Sequence, residues 1–339
     1  MATRMMQPLQ VVNSNRPRSE KDEEIYNRTY WGCFVMDRLV YCGKSQPLSL
    51  PLDKMSIHLP IGEQDFAFGS ALAPRRSFRD LVTHTMASGS HDTINNCYSV
   101  LVTGFDIWAR VLEFVGNGGR RQPGRTAPKN CPWVHGSPWR SIYDTLEDWR
   151  SRQSERLKYP SSSIAVHVSL GNGESFTFVN LIYYVRWVLF FQILYSQLNH
   201  NCSILFLNRE YIPFLPNTES EPQGPVDLPH LQAVAPDGWW KDRAQDLFQA
   251  AACITEMLHE LSLLDSRMFT PFTGFCVFSA ATMNIYIAAF PRMNLGRSHN
   301  AAALAEISVK YLDEFKGFWK MGNGWVSLLR KNFKICADT

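Results

Sequence analysis

Residues 272–290 read F-T-G-F-C-V-F-S-A-A-T-M-N-I-Y-I-A-A-F, an almost wholly apolar run of about five helical turns. A helix that is apolar on nearly every face must be buried, so this segment is expected at the centre of the molecule. The remaining periodicity is also helical. In residues 93–115, Ile94, Cys97, Leu101, Phe105, Trp108, Leu112 and Val115 recur at three- and four-residue steps, with Asp92 placed to cap the start and Gly116 and Gly118 to end it. Residues 239–264 put Leu247, Ala251, Ile254, Leu258 and Leu261 on one face, with Asp237 as the cap. Further helices are expected over 25–41, 138–159 (Ile142, Leu146, Trp149 and Leu157 inward) and 176–207. Two more follow over 301–321 and 325–334, around Gly322-Asn323-Gly324. The exception is 164–170, a short alternating piece closed by Gly171-Asn172-Gly173, which reads as a strand or an extended loop. The expected fold class is all-α, one irregular multi-helical domain.

Composition narrows the function classes. With 45% hydrophobic and 13% aromatic residues, the 339-residue chain is globular. Its formal net charge of +3 is diffuse, and no run of Lys and Arg exceeds two residues, so no nucleic-acid arm is visible. The eight cysteines, Cys33, Cys42, Cys97, Cys131, Cys202, Cys253, Cys276 and Cys336, form no Cys-x-x-Cys pair and lie in apolar segments. Free thiols in a reducing compartment are expected, and no metal site or cofactor. The start of the chain has no apolar signal core. The apolar stretch 181–195 is short for a span and contains Arg186 and Gln192, so no membrane partner is expected. Two loops stand out: residues 116–137, rich in Gly, Pro and Arg and read as a mobile insertion, and the Pro-rich 211–236, which carries Glu219, Glu221 and Asp227.

Signatures of catalysis are missing. There is no nucleophile elbow, His-Glu-x-x-His, phosphate loop, dinucleotide fingerprint or kinase set. Gly171-Asn172-Gly173-Glu174 lacks the third glycine, and no clear helix is expected to open on it. Asp144, Glu147 and Asp148 are the nearest thing to a clustered carboxylate motif, but Arg150 and Arg152 beside them suit a solvated helix face. His259-Glu260 reads as a helix end.

The positive evidence lies in four segments. Residues 28–48 read R-T-Y-W-G-C-F-V-M-D-R-L-V-Y-C-G-K-S-Q-P-L, and I-H-L-P-I-G-E-Q-D-F follows at 57–66. Residues 194–216 end in L-N-R-E-Y-I-P-F-L-P, a helix-then-turn, residues 239–251 read W-W-K-D-R-A-Q-D-L-F-Q-A-A, and 270–286 begin T-P-F-T-G-F. In this order they resemble the central regulatory (middle homology) domain of the fungal zinc-cluster transcription factors. The matching positions are Arg28, Trp31, Phe34, Asp37, Arg38, Gly43, Pro47, Leu59, Pro60 and Phe66, then Arg209, Glu210, Tyr211, Pro213 and Pro216, then Pro271, Gly274 and Phe275. Asn208 stands where that family more often has His.

The resemblance implies a nuclear transcription regulator without catalysis, occupying about 25–335 after a polar segment at 1–24 that reads as the remnant of a truncated helix. The family's six-cysteine zinc cluster is not in this sequence. DNA is therefore expected only through a missing or separate zinc-cluster domain, and the chain is a truncated fragment, the favoured reading, or a cluster-less regulator. A homo- or heterodimer and a small-molecule effector are further implications. The alternatives are a stand-alone ligand-sensing or interaction module and, behind it, an all-helical enzyme. The residues themselves speak for structure. Asp37 and Arg38 are adjacent and do not face one another on a helix, so each is expected to reach a separate partner across a helix interface. Trp31 and Phe34 are expected in the core, Gly43 at the helix stop, and Pro271 at a first helical turn, where its missing N–H costs nothing.

Overall fold

The computed structural model describes residues 19–41, 50, 57–69, 77, 97–189, 224–225, 228–290 and 298–337. Among them the elements are α1 (Glu20–Tyr41), α2 (Glu63–Ala67), α3 (Cys97–Gly116), α4 (Pro138–Ser151), α5 (Ile164–Ser169), α6 (Gly173–Leu189), α7 (Trp239–Leu263), α8 (Pro271–Ala289), α9 (Ser298–Phe315) and α10 (Met321–Ala337). Three short 3-10 turns, Gly119–Arg121, Pro128–Asn130 and Glu155–Leu157, join them. The all-α expectation is borne out. The only extended pairing among the described residues is one isolated bridge, His58 with Ser77.

The apolar run is central as expected. Helix α8 packs on α6, α7, α9 and α10, and its buried residues fall on every side. It is long and apolar enough to cross a membrane, yet most of it is covered by these neighbours. Its start is built by Thr270 and Thr273, each side-chain oxygen accepting the other's backbone N–H, at 3.2 and 3.0 Å, with Pro271 in the first turn. Its internal hydroxyls are absorbed locally, Ser279 and Thr282 donating to the carbonyls of Phe275 and Phe278. Gly274 lets α9 come close. A Cβ there would lie 2.4 Å from the Phe315 ring, and one at Gly322 would lie 2.9 Å from the same ring. Phe315 also stacks on Trp325, with centroids 5.7 Å apart.

Two hydrophobic clusters result. The large one unites α3 through α10, including Phe105 and Trp108 of α3, Trp149 of α4 and the expected face of α7. The small one lies under α1 and gathers Tyr30, Trp31, Phe34, Leu50, Ile57, Leu59 and Val102. Helix α3 belongs to both, and α1 packs directly on it.

Several boundaries differ from the sequence reading. Helix α1 begins at Glu20, because Ser19 caps it: its Oγ accepts Asp22 N–H at 3.2 Å and donates to the Asp22 carboxylate at 2.7 Å. Helix α4 ends at Ser151, and Leu157 reaches the core from a 3-10 turn. Residues 164–169 are a helix, because Ile164 and His167 bury three residues apart, and the turn at Gly171 leads straight into α6. A helix therefore does open on Gly173. Gly238, at φ 77°, starts α7 in place of Asp237. Helix α10 begins at Met321 and contains Gly322 and Gly324, which were read as a break. Asp92, the 190–207 part of the long apolar run and residues 211–223 lie outside the described residues.

Candidate functional site

Helix α1 holds Arg28, Trp31, Phe34, Asp37 and Arg38 of the residues that the sequence singles out. It clamps the backbone of the extended segment before α2. Glu24 Oε1 accepts both Arg28 Nε at 3.0 Å and Ile61 N at 3.1 Å. Arg28 Nη2 donates to Ile61 O at 3.2 Å, and Trp31 Nε1 donates to His58 O at 2.7 Å. The Arg28 guanidinium also lies 4.0 Å from the Phe66 ring centre and 4.9 Å from that of Tyr98. Three side chains of one helix thus satisfy three main-chain groups of this segment, Ile61 N, Ile61 O and His58 O. Pro60, also buried, offers no N–H to satisfy. Trp31 and Phe34 are fully buried, each contributing roughly 2–3 kcal/mol of apolar burial.

At the other end of α1, Arg38 is only 1% exposed. Contrary to the expectation from adjacency, its Nη1 reaches Asp37 Oδ2 at 3.2 Å; the long side chain bends back along its own helix, over the Phe34 ring at 3.4 Å. Asp37 also reaches across the interface, where its Oδ2 accepts Leu50 N at 3.3 Å. Burial pulls the Arg38 guanidinium down to about 10, against the charges of Asp106 and then Asp37, which favour its protonated form. It therefore stays charged at neutral pH. Asp106 is in turn gripped by Arg110 of the same helix at 2.8 and 3.0 Å. Glu24 Oε2, Asn27 Nδ2 and Arg38 Nε, all on α1, are buried without a hydrogen-bond partner among the described residues.

Pro271, Gly274 and Phe275 belong to α8, with Phe275 against Trp325 at 6.5 Å between centroids. They are remote in sequence from the α1 group; Phe275 packs against the large cluster, Gly274 is buried and Pro271 is exposed. Gly43, Pro47, Arg209, Glu210, Tyr211, Pro213 and Pro216 lie outside the described residues.

Sequence reasoning missed a second buried arginine. Arg150 donates from Nη1 to Gln153 Oε1 and Asn180 Oδ1, both at 3.0 Å, and from Nη2 to Tyr159 O at 3.2 Å. Its guanidinium lies 4.3 Å from the Tyr183 ring centre. Tyr184 donates to the same Tyr159 carbonyl at 2.6 Å, and Tyr159 N–H donates to Asn180 Oδ1 at 2.9 Å. The signal was present: Arg150 follows Trp139, Ile142 and Leu146 at helical spacing, a charge placed on the apolar stripe.

The carboxylates weighed as a metal motif are paired instead. Asp144 bonds Arg140 at 2.7 Å, and Asp148 bonds Arg152. Glu260 accepts the Tyr159 hydroxyl at 2.8 Å. Among the described residues no group of three His, Cys, Asp or Glu side chains is placed to share a metal ion. Cys33, Cys97, Cys131, Cys253 and Cys276 are free thiols, and burial pushes those of Cys97, Cys131 and Cys253 up, away from the reactive thiolate. Arg28, Arg38 and Arg150 thus hold helices and backbone together.

Residues 6–97 match the family model of the fungal specific transcription factor domain. The Zn(2)-C6 fungal-type transcription factor FTF1c of Fusarium oxysporum f. sp. lycopersici is 24% identical over 324 residues, which is 94% of this chain and 30% of that protein. FTF2 of the same fungus is 24% identical over 323 residues, 94% of this chain and 26% of its own length. An uncharacterized transcriptional regulatory protein of Schizosaccharomyces pombe is 21% identical over 360 residues, 99% of this chain and 48% of its own. The chain therefore spans less than half the length of these curated relatives. No solved structure matches it. The resemblance read from the residues is borne out, and the chain carries a fungal specific transcription factor domain match over the segment that contains α1 and α2.

Proposed function

We propose that this chain is the regulatory part of a fungal transcription regulator controlling RNA polymerase II transcription, without catalysis of its own. One observation carries the reading: the family match at 6–97 spans the residues that α1 uses to clamp its neighbours, while similarity to named transcription factors extends along 94% of the chain. On this reading Arg28, Trp31, Phe34, Asp37 and Arg38 keep the regulatory domain in one shape. DNA is contacted only through a missing or separate zinc-cluster domain, the chain itself takes up no zinc or other cofactor, and it works in the nucleus. Dimerisation with another regulator and a small-molecule effector belong to the same proposal.

The test is a tethering assay. The chain, fused to an unrelated DNA-binding domain in a fungal host, is expected to change reporter transcription several-fold and to accumulate in the nucleus. A stable nuclear fusion that leaves the reporter unchanged would sink the reading. The purified chain should show no sequence-selective affinity for duplex DNA at physiological salt; nanomolar selective binding would move the DNA contacts into this chain. Elemental analysis should find no stoichiometric zinc.

A further inference from the structure

We propose that a second copy of this chain docks, face to face about a two-fold axis, on the aromatic surface where the turn between α9 and α10 meets the loop between α7 and α8. The proposal rests on the dimerisation named in the proposed function and supplies its surface; association is measured apart from transcription, so either can fail alone. Direct contacts make this surface one face. The Phe318 ring stacks on that of Phe269, with centroids 4.9 Å apart and planes at 26°. Trp319 Nε1 donates to Phe269 O at 2.8 Å, and the Phe269 ring lies 5.3 Å from that of Tyr311 on α9. Arg267, on the same loop as Phe269, pairs with Glu314 at 2.7 Å. Tyr311, Glu314 and Phe318 follow at three- and four-residue steps, so one stripe of α9 and its last turn carries all three.

The surface is built in advance. Phe318 N and Trp319 N both donate to Phe315 O at 3.0 Å, and the Tyr311 hydroxyl donates to Met268 O, which fixes the loop to α9. Yet Phe318 is 70% exposed and Trp319 41%, and among the described residues no ring but that of Phe269 packs on Phe318. Contiguous exposed aromatics on an ordered surface mark a contact site. The charges choose its occupant. Arg267 and Glu314 are half-exposed at the edge of the rings and already spent on each other, so the rim is neutral and holds one charge of each sign. An acidic protein or an anionic lipid surface would meet Glu314, and a basic partner would meet Arg267. A second copy, turned through a two-fold, lays its own Glu314 against Arg267 and its own Arg267 against Glu314. Four alternating charges then close around the facing rings, and no unpaired charge is buried.

The experiment is sedimentation equilibrium of the full chain from about 1 to 200 µM, with a monomer–dimer constant on the order of 10 µM expected. Phe318→Ser should weaken association about tenfold or more with the thermal midpoint unchanged, because the ring is mostly in solvent. Arg267→Glu alone puts two carboxylates on the rim, and Glu314→Arg alone puts two cations there. Each variant should therefore associate more weakly than the parent, while an equimolar mixture of the two forms heterodimers about fivefold tighter than either homodimer. Each substitution removes only a half-exposed ion pair within the chain, so folding survives. Only a contact between copies lets two weakened chains rescue each other. A chain monomeric throughout, a dimer indifferent to Phe318→Ser, or a mixture no tighter than its parts would each overturn the proposal. So would a monomer whose Phe318 instead binds phosphatidylserine vesicles.

Discussion

Arg38 and Arg150 are both buried arginines, yet they are neutralised in opposite ways. Arg38 sits beside Asp37, with Asp106 near enough to favour its charge, and covers one aromatic ring. Arg150 has only uncharged hydrogen-bond partners among the described residues. Burial pulls its proton affinity down with only weak help from Tyr184, Tyr183 and more distant carboxylates. The lesson is about what is left behind when each is removed. Without Arg38, two poorly exposed carboxylates lose a counter-charge. Without Arg150, Asn180 Oδ1 still accepts Tyr159 N–H and Tyr159 O still accepts the Tyr184 hydroxyl. One region is a charge balance; the other is a polar network with spare donors.

The sharpest break of this comparison is Arg38→Met. It is expected to cost about 3–5 kcal/mol, read by urea unfolding, with Asp37→Asn in the same chain restoring part of the loss. No restoration would mean the pair is not the reason. Next comes Arg28→Ala, which loses the Glu24 contact, the Ile61 carbonyl and two ring faces, for about 2 kcal/mol. Its signature is faster amide exchange at Ile61. Arg150→Met, by contrast, should cost only about 1 kcal/mol, because the buried charge leaves with its bonds. A loss as large as that of Arg38→Met would erase the distinction.

Alkaline pH probes the Arg150 region in a second way. Burial, with Glu260 against Tyr159 and Cys253 against Tyr184, raises both phenols near Arg150. Unfolded tyrosines ionise from about pH 10, so the stability these groups contribute is complete below that pH and lost as pH rises above it. The unfolding midpoint should therefore drop between pH 9 and 11, and less steeply in Tyr159→Phe. The smallest effect is expected from Arg110→Gln. Arg110 is half-exposed, so loss of its bond to Asp106 should cost less than about 1 kcal/mol.

The sequence was most readable where apolar spacing was long and regular. Helices α7 and α8 fall within a residue or two of their expected bounds, and Trp31 and Phe34 are buried as expected. It was least readable where long-range contacts decide. Residues 164–169 alternate like a strand, but one turn of helix lets His167 stack on Phe176 at 3.9 Å. Residues 116–137 look like a mobile insertion in sequence, but the structure corrects this: tight turns such as Arg121 N to Gly118 O and Asn130 N to Ala127 O, both 2.8 Å, order the loop, and Pro229, Gln232 and two tryptophans roughly a hundred residues away anchor it. For Asp37 and Arg38, helix geometry correctly put neighbours on different faces, but the arginine side chain is long enough to bend back. Arg28 and Trp31 of the α1 clamp were legible as residues; Glu24, which fell in the stretch read as a polar remnant, was not, and the targets are backbone atoms that carry no sequence signal.

Phe315 deserves a mechanical description. Glycines from α8 and α10 bracket its ring, and an indole from α10 lies flat against it. A side chain seated this way is a pin through three plates. Helix α9 cannot slide along either neighbour without driving the ring into a backbone that has no side chain to move aside. One ring thus sets the spacing of the last three helices, and a larger residue at Gly274 or Gly322 would have to displace it.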